Sequence, residues 1–112
     1  GDFCVFFDMI HVIIDYRVEQ TQIKKVLKLI EEFVLGIKAN ESNTLYYHSF
    51  QDQESPGKFT HVMAFKDESA QQIHRESAYC RKFVERLYPL CIEQPSPRTI
   101  DQVASKTTPA DK

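Results

Sequence analysis

The fold follows from the sequence IKKVLKLIEEFVLGI, residues 23–37, and from the segments on either side of it. Its apolar residues follow one another at spacings of three, one, three, three, one and three, which places them on one face of an α-helix. These residues are Ile23, Val26, Leu27, Ile30, Phe33, Val34 and Ile37. Thr21 is positioned to cap the start of the helix, and Asn40, which tolerates a left-handed backbone, can end it. We therefore expect a long amphipathic helix.

Three segments around this helix have the composition of β-strands. Residues 11–18 are rich in β-branched and aromatic side chains, and one of their two faces consists of Val12, Ile14, Tyr16 and Val18. Residues 44–50 and 59–65 have the same character. The loop between these two segments, residues 51–57, is polar and contains a Pro-Gly pair, which is a strong turn signal. The two segments therefore predict an antiparallel hairpin with a long loop.

A second helical region follows the hairpin. Asp67 can cap its start and Ser77 can cap the chain again midway. We therefore expect a short helix to about His74 and a second helix over residues 77–88, ended by Pro89. Small or apolar residues recur along the region at alternating threes and fours: Ala70, Ile73, Ser77, Cys80, Val84 and Leu87. This recurrence predicts one apolar face running along both helices.

The two ends of the chain carry weaker signals. Pro95 and Pro97 bracket a predicted loop, and residues 98–103 are long enough for a weak last strand. Residues 104–112 contain no large apolar residue, which predicts a disordered tail. Residues 1–8 hold a short apolar run flanked by aspartates, and they fit either an N-terminal arm or an extra strand. They lack the basic start and the length of an export signal, so we expect no export.

The predicted elements, over residues 9–103, run strand, helix, strand, strand, helix, strand. This βαββαβ order predicts an α+β fold, the ferredoxin-like plan, in which a four-stranded antiparallel sheet carries the helices on one face. Aromatic and apolar side chains nevertheless lie on both faces of the predicted hairpin, where Tyr46, His48 and Phe50 oppose Leu45 and Tyr47. One helical layer cannot cover both faces, and a large apolar face is not left in water. We therefore expect a homodimer in which two sheets pack face to face.

The composition excludes several classes of function. The 112 residues suffice for one domain with a buried core, and 14 basic against 16 acidic residues, without a basic cluster, argue against a nucleic-acid partner. No apolar stretch approaches the roughly 20 residues of a membrane helix, so we expect no membrane partner. The 3 cysteines lack the spacing of a zinc site. We expect no bound metal and a reduced, cytoplasmic protein, the alternatives being a disulfide or a reactive thiol.

Several segments resemble the antibiotic biosynthesis monooxygenase family, of the dimeric α+β barrel superfamily. Residues 40–47 are similar to its Asn-Glu-x-Gly-Thr-x-x-Tyr segment, with Asn43 in place of the glycine. Residues 59–70 and the pattern His74-x-x-Ser77 look like the third strand and the His-containing second helix of that family. The resemblance extends from about residue 9 to residue 103. It implies a dimeric α+β barrel with a pocket between sheet and helices in each chain.

The resemblance also implies a chemistry. The family includes oxygenases that act on quinol-like or polycyclic phenolic molecules with no metal, flavin or other cofactor. No cofactor is needed because such a substrate, once deprotonated, supplies the electrons for O₂ itself. Met63 stands where a Glu is common on the third strand, so one acid–base group is missing. Related domains degrade haem, but Tyr16 and Phe65 stand where those relatives carry Asn and Trp. Haem degradation is therefore disfavoured.

His74 is the candidate catalytic residue. The family match and its place beside an apolar face put it at the edge of the pocket, where a neutral imidazole can take a phenolic proton near pH 7. The alternative is a structural role, in which the ring bonds a strand carbonyl and braces the helix. The candidate substrate-binding residues are Tyr16, Tyr47, His61, Met63 and Phe65, which are otherwise ordinary core residues of the sheet. His48 can lie opposite His61 if the hairpin register allows it.

Two functions remain open at this point. The first is a cofactor-independent monooxygenase acting on a quinol-like or polycyclic phenolic small molecule. The alternative is a non-catalytic dimeric domain that binds a small apolar ligand or serves as an interaction module. The retained His74 and the aromatic strand face favour the first, whereas the missing Glu and Trp favour the second.

Overall fold

The computed structural model describes residues 9–110, which form four strands and three α-helices. The elements are β1 (Ile10–Val18), α1 (Ile23–Asn40), β2 (Thr44–Gln51), β3 (Lys58–Phe65), α2 (Glu68–Glu76), α3 (Ala78–Leu87) and β4 (Cys91–Ile100). Short 3₁₀ turns precede α1 and β4. The predicted α+β fold is therefore confirmed, while the expected arm or strand at residues 1–8 lies outside the described residues.

The sheet is antiparallel throughout, with the strand order β2-β3-β1-β4. The predicted hairpin is present as β2 and β3. Its register pairs Ser49 with His61 and Tyr47 with Met63. On the other side of β3, Ile14 pairs with His61. The register therefore gathers the five predicted substrate-binding residues on the two central strands and on β2.

The position of His48 is settled by the same register. His48 pairs with Val62, so it does not lie opposite His61. Its ring stacks on Tyr46 at a centroid distance of 5.2 Å and lies near Phe50. Because successive strand residues point to opposite faces, His48 lies on the face of the sheet away from the helices.

The helices cover one face of the sheet and enclose the core. The buried positions on that face include Val12, Tyr16 and Val18 of β1. On α1 the predicted stripe is largely correct, but Leu27 is exposed and Leu29 is buried instead. At about 100° per residue, Leu29 lies closer than Leu27 to the middle of the face formed by the buried residues of α1.

The second predicted stripe is wrong in two places. Ile73 is 54% exposed and Val84 also faces solvent, whereas His74 and Phe83 are buried. The reason is the break between α2 and α3. Ser77 has extended backbone angles, so the two helices do not share one axis and a single helical period does not continue from one to the other.

The helix caps agree with the sequence at two of three N-termini. The side chains of Asp67 and Ser77 accept hydrogen bonds from the backbone N–H groups of Ala70 and Cys80. Thr21 does not cap α1, because it lies inside the 3₁₀ turn Gln20–Gln22 that leads into the helix without a side-chain cap. α1 ends at Asn40, as expected.

The last strand differs most from the sequence-based expectation. The predicted loop around Pro95 and Pro97 is wrong, since both prolines lie within β4, which begins at Cys91. β4 is an edge strand, where a proline that lacks an N–H is tolerated. Residues 101–110 contain neither helix nor strand and are exposed, and disorder over residues 104–112 stays a prediction.

None of the helices formed by residues 9–110 covers the opposite face of the sheet. Tyr46, Phe50 and Ile100 are exposed there, and Val62 at its centre is partly exposed. Within residues 9–110, no helix combines the length and the apolar character needed to span a membrane.

Candidate functional site

The site lies between the sheet and the helices and consists of two adjoining cavities. The inner cavity, of about 80 Å³, is lined by Tyr16, Tyr47 and His61 from the sheet and by Phe33 and Phe83 from the helices. The outer cavity, of about 370 Å³, is lined by Val12, Met63, Phe65, Gln71 and Arg75. Ile14, His74 and Cys80 contribute to both cavities. His74 therefore stands where the two cavities meet.

His74 is held by the carboxylate of Glu41. The Nδ1 atom lies 3.1 Å from each carboxylate oxygen, so the Nδ1–H group donates to the carboxylate. The ring packs against Phe65 and Phe33, at centroid distances of 5.2 Å and 5.5 Å. With the proton on Nδ1, the neutral ring carries its lone pair on Nε2.

The Nε2 atom of His74 is open to the cavity. Over residues 9–110, every fully buried side-chain nitrogen or oxygen has a hydrogen-bond partner. Nε2 of His74 has no such partner in that part of the chain, so it is not sealed in the core. Burial lowers the pKa of His74, and although Glu41 opposes this effect, the pKa stays below its ordinary value. At neutral pH the ring is therefore uncharged and able to accept a proton at Nε2.

His61 has both ring nitrogens occupied. Nε2 lies 2.7 Å from the Tyr16 hydroxyl, and Nδ1 lies 2.9 Å from the Tyr47 hydroxyl and 3.2 Å from Ser49 Oγ. Burial lowers the pKa of His61 to about 4, so the ring is neutral and one nitrogen donates while the other accepts. His61 therefore orients the two tyrosines and is not free to act as a base.

The hydroxyls of the two tyrosines remain protonated. Burial raises the pKa of Tyr16, and burial together with nearby acidic groups raises the pKa of Tyr47. The Tyr16 ring stacks on Phe59 at 5.5 Å, and the Tyr47 ring meets Phe33 edge-on at 5.4 Å. Both rings are thus fixed in the wall of the inner cavity with their hydroxyls directed at His61.

The structure brings all six predicted site residues to the helix-covered side of the sheet. Tyr16, Tyr47 and His61 line the inner cavity, and Met63 and Phe65 form the floor of the outer one. His74 contacts both. His74 does not bond a strand carbonyl, as the alternative expected, because its partner is the carboxylate of Glu41.

Two residues of the site were missed by the sequence. Glu41 accepts hydrogen bonds from Thr44, Tyr79 and His74, and it is buried. Glu41 lies within residues 40–47, the segment that carries the family resemblance. This position was the one feature of the sequence that could have indicated a role for Glu41. The one indication of Tyr79 was Gly36, because a glycine inside a helix indicates that another group packs closely against it. Within residues 9–110, no three His, Cys, Asp or Glu side chains lie close enough together to hold a metal ion.

Comparisons with known proteins agree with this fold. The family model described as antibiotic biosynthesis monooxygenase matches residues 9–86. A crystal structure of an antibiotic biosynthesis monooxygenase is similar at 25% identity and a TM-score of 0.78, covering 85% of this chain and 99% of that one. No curated protein sequence matches significantly.

Two other solved structures show the fold alone. A protein of Caulobacter crescentus CB15 is similar at 19% identity and a TM-score of 0.80, covering 92% of this chain and 97% of its own. A conserved protein of Methanosarcina mazei Go1 is similar at 16% identity and a TM-score of 0.79, covering 89% of this chain and 98% of its own.

Proposed function

The chain belongs to the antibiotic biosynthesis monooxygenase family, and from this premise we propose that it is a cofactor-independent monooxygenase of a quinol-like or polycyclic phenolic small molecule. The observation that carries the proposal is the orientation of His74. Its Nδ1–H is bonded to a carboxylate and its Nε2 opens into an apolar cavity. A neutral imidazole with a free nitrogen in a pocket is suited to take a proton from a phenol.

The proposed reaction begins with the substrate in the outer cavity. Its rings pack on Phe65 and Met63, and its hydroxyl donates to Nε2 of His74. Transfer of this proton leaves a phenolate whose ring carbon is rich in electrons and reacts with O₂. One oxygen atom bonds to that carbon, which loses its one hydrogen and becomes a carbonyl. The other oxygen leaves as water, with that hydrogen and the phenolic proton held by His74. The substrate supplies the electrons for both steps.

The second candidate function is a non-catalytic dimeric domain that binds a small apolar ligand or serves as an interaction module. It is favoured by Met63, which puts a thioether in the outer cavity where the family resemblance leads one to expect a carboxylate. The size of the inner cavity, about 80 Å³, also falls below the roughly 300 Å³ of the smallest ligand pockets. A ligand must therefore lie mainly in the outer cavity.

The test compares wild type with His74→Ala and His74→Gln in oxygen consumption over a panel of quinols and anthrone-like phenols. Positioned acid–base help is worth about 10²–10⁴ in rate, so both variants should turn over more slowly by that order. Gln can keep a hydrogen bond to Glu41 but cannot accept the proton. Equal consumption by all three proteins contradicts the monooxygenase proposal. No consumption by wild type, together with saturable binding of the same phenols, favours the second candidate.

We also propose that the open face of the sheet binds a second copy of the chain. Tyr46, Phe50 and Ile100 expose apolar surface there, with Ile13 and Val62 between them. Stable dimers bury more than roughly 1,000 Å² in total, an area that a four-stranded face can supply. Light scattering at micromolar concentration should give the mass of a dimer, and the mass of a monomer would contradict the proposal.

The cytoplasmic location stays a proposal too. Among the described cysteines, Cys80 and Cys91 are both free. Free thiols are the usual state in a reducing compartment, which supports this location.

A further inference from the structure

We propose that Glu41 is the positioning residue of this site, fixing the proton of His74 on Nδ1, and that Tyr79, seated on Gly36, holds Glu41 in place. The inference deepens the proposed function and rests on it for its catalytic consequence. The placement itself rests on hydrogen bonds, burial and one close backbone approach, none of which the family resemblance supplied.

The location of Glu41 is unfavourable for a carboxylate. Glu41 follows the last residue of α1, where the negative end of the helix dipole repels an acidic group. Its side chain is only 2% exposed, and burial of a charged group is costly unless the group is well paired. Its position is therefore tolerated only because its hydrogen bonds offset these costs.

Three donors converge on the Glu41 carboxylate. Thr44 Oγ1 donates to Oε1 at 2.5 Å, the Tyr79 hydroxyl donates to Oε2, and His74 Nδ1 lies 3.1 Å from both oxygens. In the described part of the chain, no Lys or Arg forms an ion pair with it, and His74 is its only basic partner. The carboxylate is therefore oriented by two hydroxyls and directed at one imidazole.

Gly36 explains how Tyr79 reaches Glu41. A Cβ atom at position 36 would lie 2.7 Å from Cγ of Tyr79 and 2.9 Å from Cδ2, closer than real side chains approach. Glycine is unfavourable inside a helix, so its presence in α1 calls for a local reason. The absence of a side chain lets the Tyr79 ring lie against α1 with its hydroxyl at the carboxylate.

This arrangement determines which nitrogen of His74 can act. A carboxylate only accepts hydrogen bonds, so the nitrogen facing it must carry the proton and the other nitrogen is free. A glutamine at position 41 has one oxygen and one NH₂ group. The NH₂ group replaces one of the two oxygens, so the hydroxyl that donated there must now accept from it. The second N–H of this group donates to Nδ1, and the proton of His74 moves to Nε2. That ring can no longer take a proton from a ligand in the cavity.

Few charges act on His74 in this environment. The titratable groups nearest to it are Glu41 at the end of α1, Tyr47 of β2, Arg75 of its own helix and Cys80 of α3. Tyr16 of β1 and His61 of β3 share the inner cavity with it, and Arg98 of β4 shares the outer cavity. Burial raises the pKa of Tyr47 and Cys80 and lowers that of His61, so these three are neutral near pH 7. Neutralising Glu41 therefore leaves Arg75 unopposed and lowers the pKa of His74.

The experiment is a ¹⁵N NMR titration of the histidine rings in the full chain, without substrate. Wild type should show His74 with its proton on Nδ1, and Glu41→Gln should shift the proton to Nε2 and lower the pKa. The matched control is Glu85→Gln, which removes an exposed carboxylate of α3 and should leave His74 as in wild type. Gly36→Ala, which displaces Tyr79, should weaken the preference for Nδ1.

Turnover gives the second readout. Glu41→Gln should lower kcat by roughly 10- to 100-fold with little change in KM, a smaller loss than removal of the base itself. A wild-type His74 protonated on Nε2, or a Glu41→Gln variant that matches Glu85→Gln in tautomer and pKa, overturns the proposal. If Glu41→Gln does not fold, the wild-type tautomer and the Gly36→Ala spectrum decide. A correct tautomer without turnover of any phenol rejects the proposed function and leaves Glu41 as the positioning residue.

Discussion

Acidification from pH 7 to pH 5 should destabilise this protein chiefly through His61. The ring is 1% exposed, and burial lowers its pKa from 6.5 to about 4. The unfolded chain has the ordinary pKa, so as the pH falls it binds a proton before the folded chain does. The stability that depends on neutral His61 is therefore complete above about pH 7 and is lost between pH 6.5 and pH 4.

The size of the effect follows from the same values. One pKa unit corresponds to about 1.36 kcal/mol, so the difference between 6.5 and about 4 amounts to about 3 kcal/mol over the whole window. Between pH 7 and pH 5, linkage gives a loss of about 2 kcal/mol in the free energy of unfolding. A small domain has roughly 5–15 kcal/mol in total, so a loss of this size is readily measured.

The assay is urea unfolding at pH 7, 6 and 5 of wild type and His61→Gln, at one fixed protein concentration because subunit association adds to stability. Gln can still bond Tyr16 and Tyr47, but it does not titrate. His74 loses stability with acid in the same direction, and it is present in both proteins, so the difference between them isolates His61. That difference should shrink by about 2 kcal/mol from pH 7 to pH 5.

A difference that stays constant with pH would refute the reasoning, because it would mean that burial does not perturb His61. The NMR titration of the wild-type ring is an independent check that needs no variant. A pKa near 6.5 for His61 would refute it equally.

Two further predictions concern the two faces of the sheet. Phe33→Ala should lower the free energy of unfolding by about 3–5 kcal/mol in urea titrations, because the buried ring stacks on Phe83 at 4.4 Å, and a loss under about 1 kcal/mol would contradict the packing. Val62→Asp should convert the proposed dimer to a monomer in light scattering, while Leu35→Asp, on the exposed side of α1, should not. A dimer in both variants would place the interface elsewhere.

Local signals were enough to predict most of the fold. The period of α1, the Pro-Gly loop and the caps at Asp67 and Ser77 are properties of neighbouring residues, and the structure has all of them. Pro95 and Pro97 led to a wrong prediction of a loop. An edge strand tolerates proline, but whether a strand lies at the edge depends on the strand order, which is not a local property.

Only those parts of the candidate site that depend on local signals or on the family resemblance could be predicted. Alternation along β3 was enough to place His61 and Phe65 on one face, and the family resemblance pointed to His74. The bond from His74 to Glu41 joins residues 33 positions apart, and the bond from Tyr79 to Glu41 joins residues 38 apart. No periodicity encodes contacts at such separations, so they emerge only once the helices are packed.

The bonds of His61 also protect the sheet against misalignment. They tie together β1 through Tyr16, β3 through His61 itself, and β2 through Tyr47 and Ser49. A hairpin shifted by two residues would keep every apolar side chain on its proper face, so hydrophobic burial alone would barely oppose the error. The same shift would separate Nδ1 of His61 from Tyr47 and Ser49 and leave buried polar groups without partners, which is heavily penalised. One polar ring in the sheet thus favours a single alignment of three strands, in addition to whatever the loop between β2 and β3 contributes.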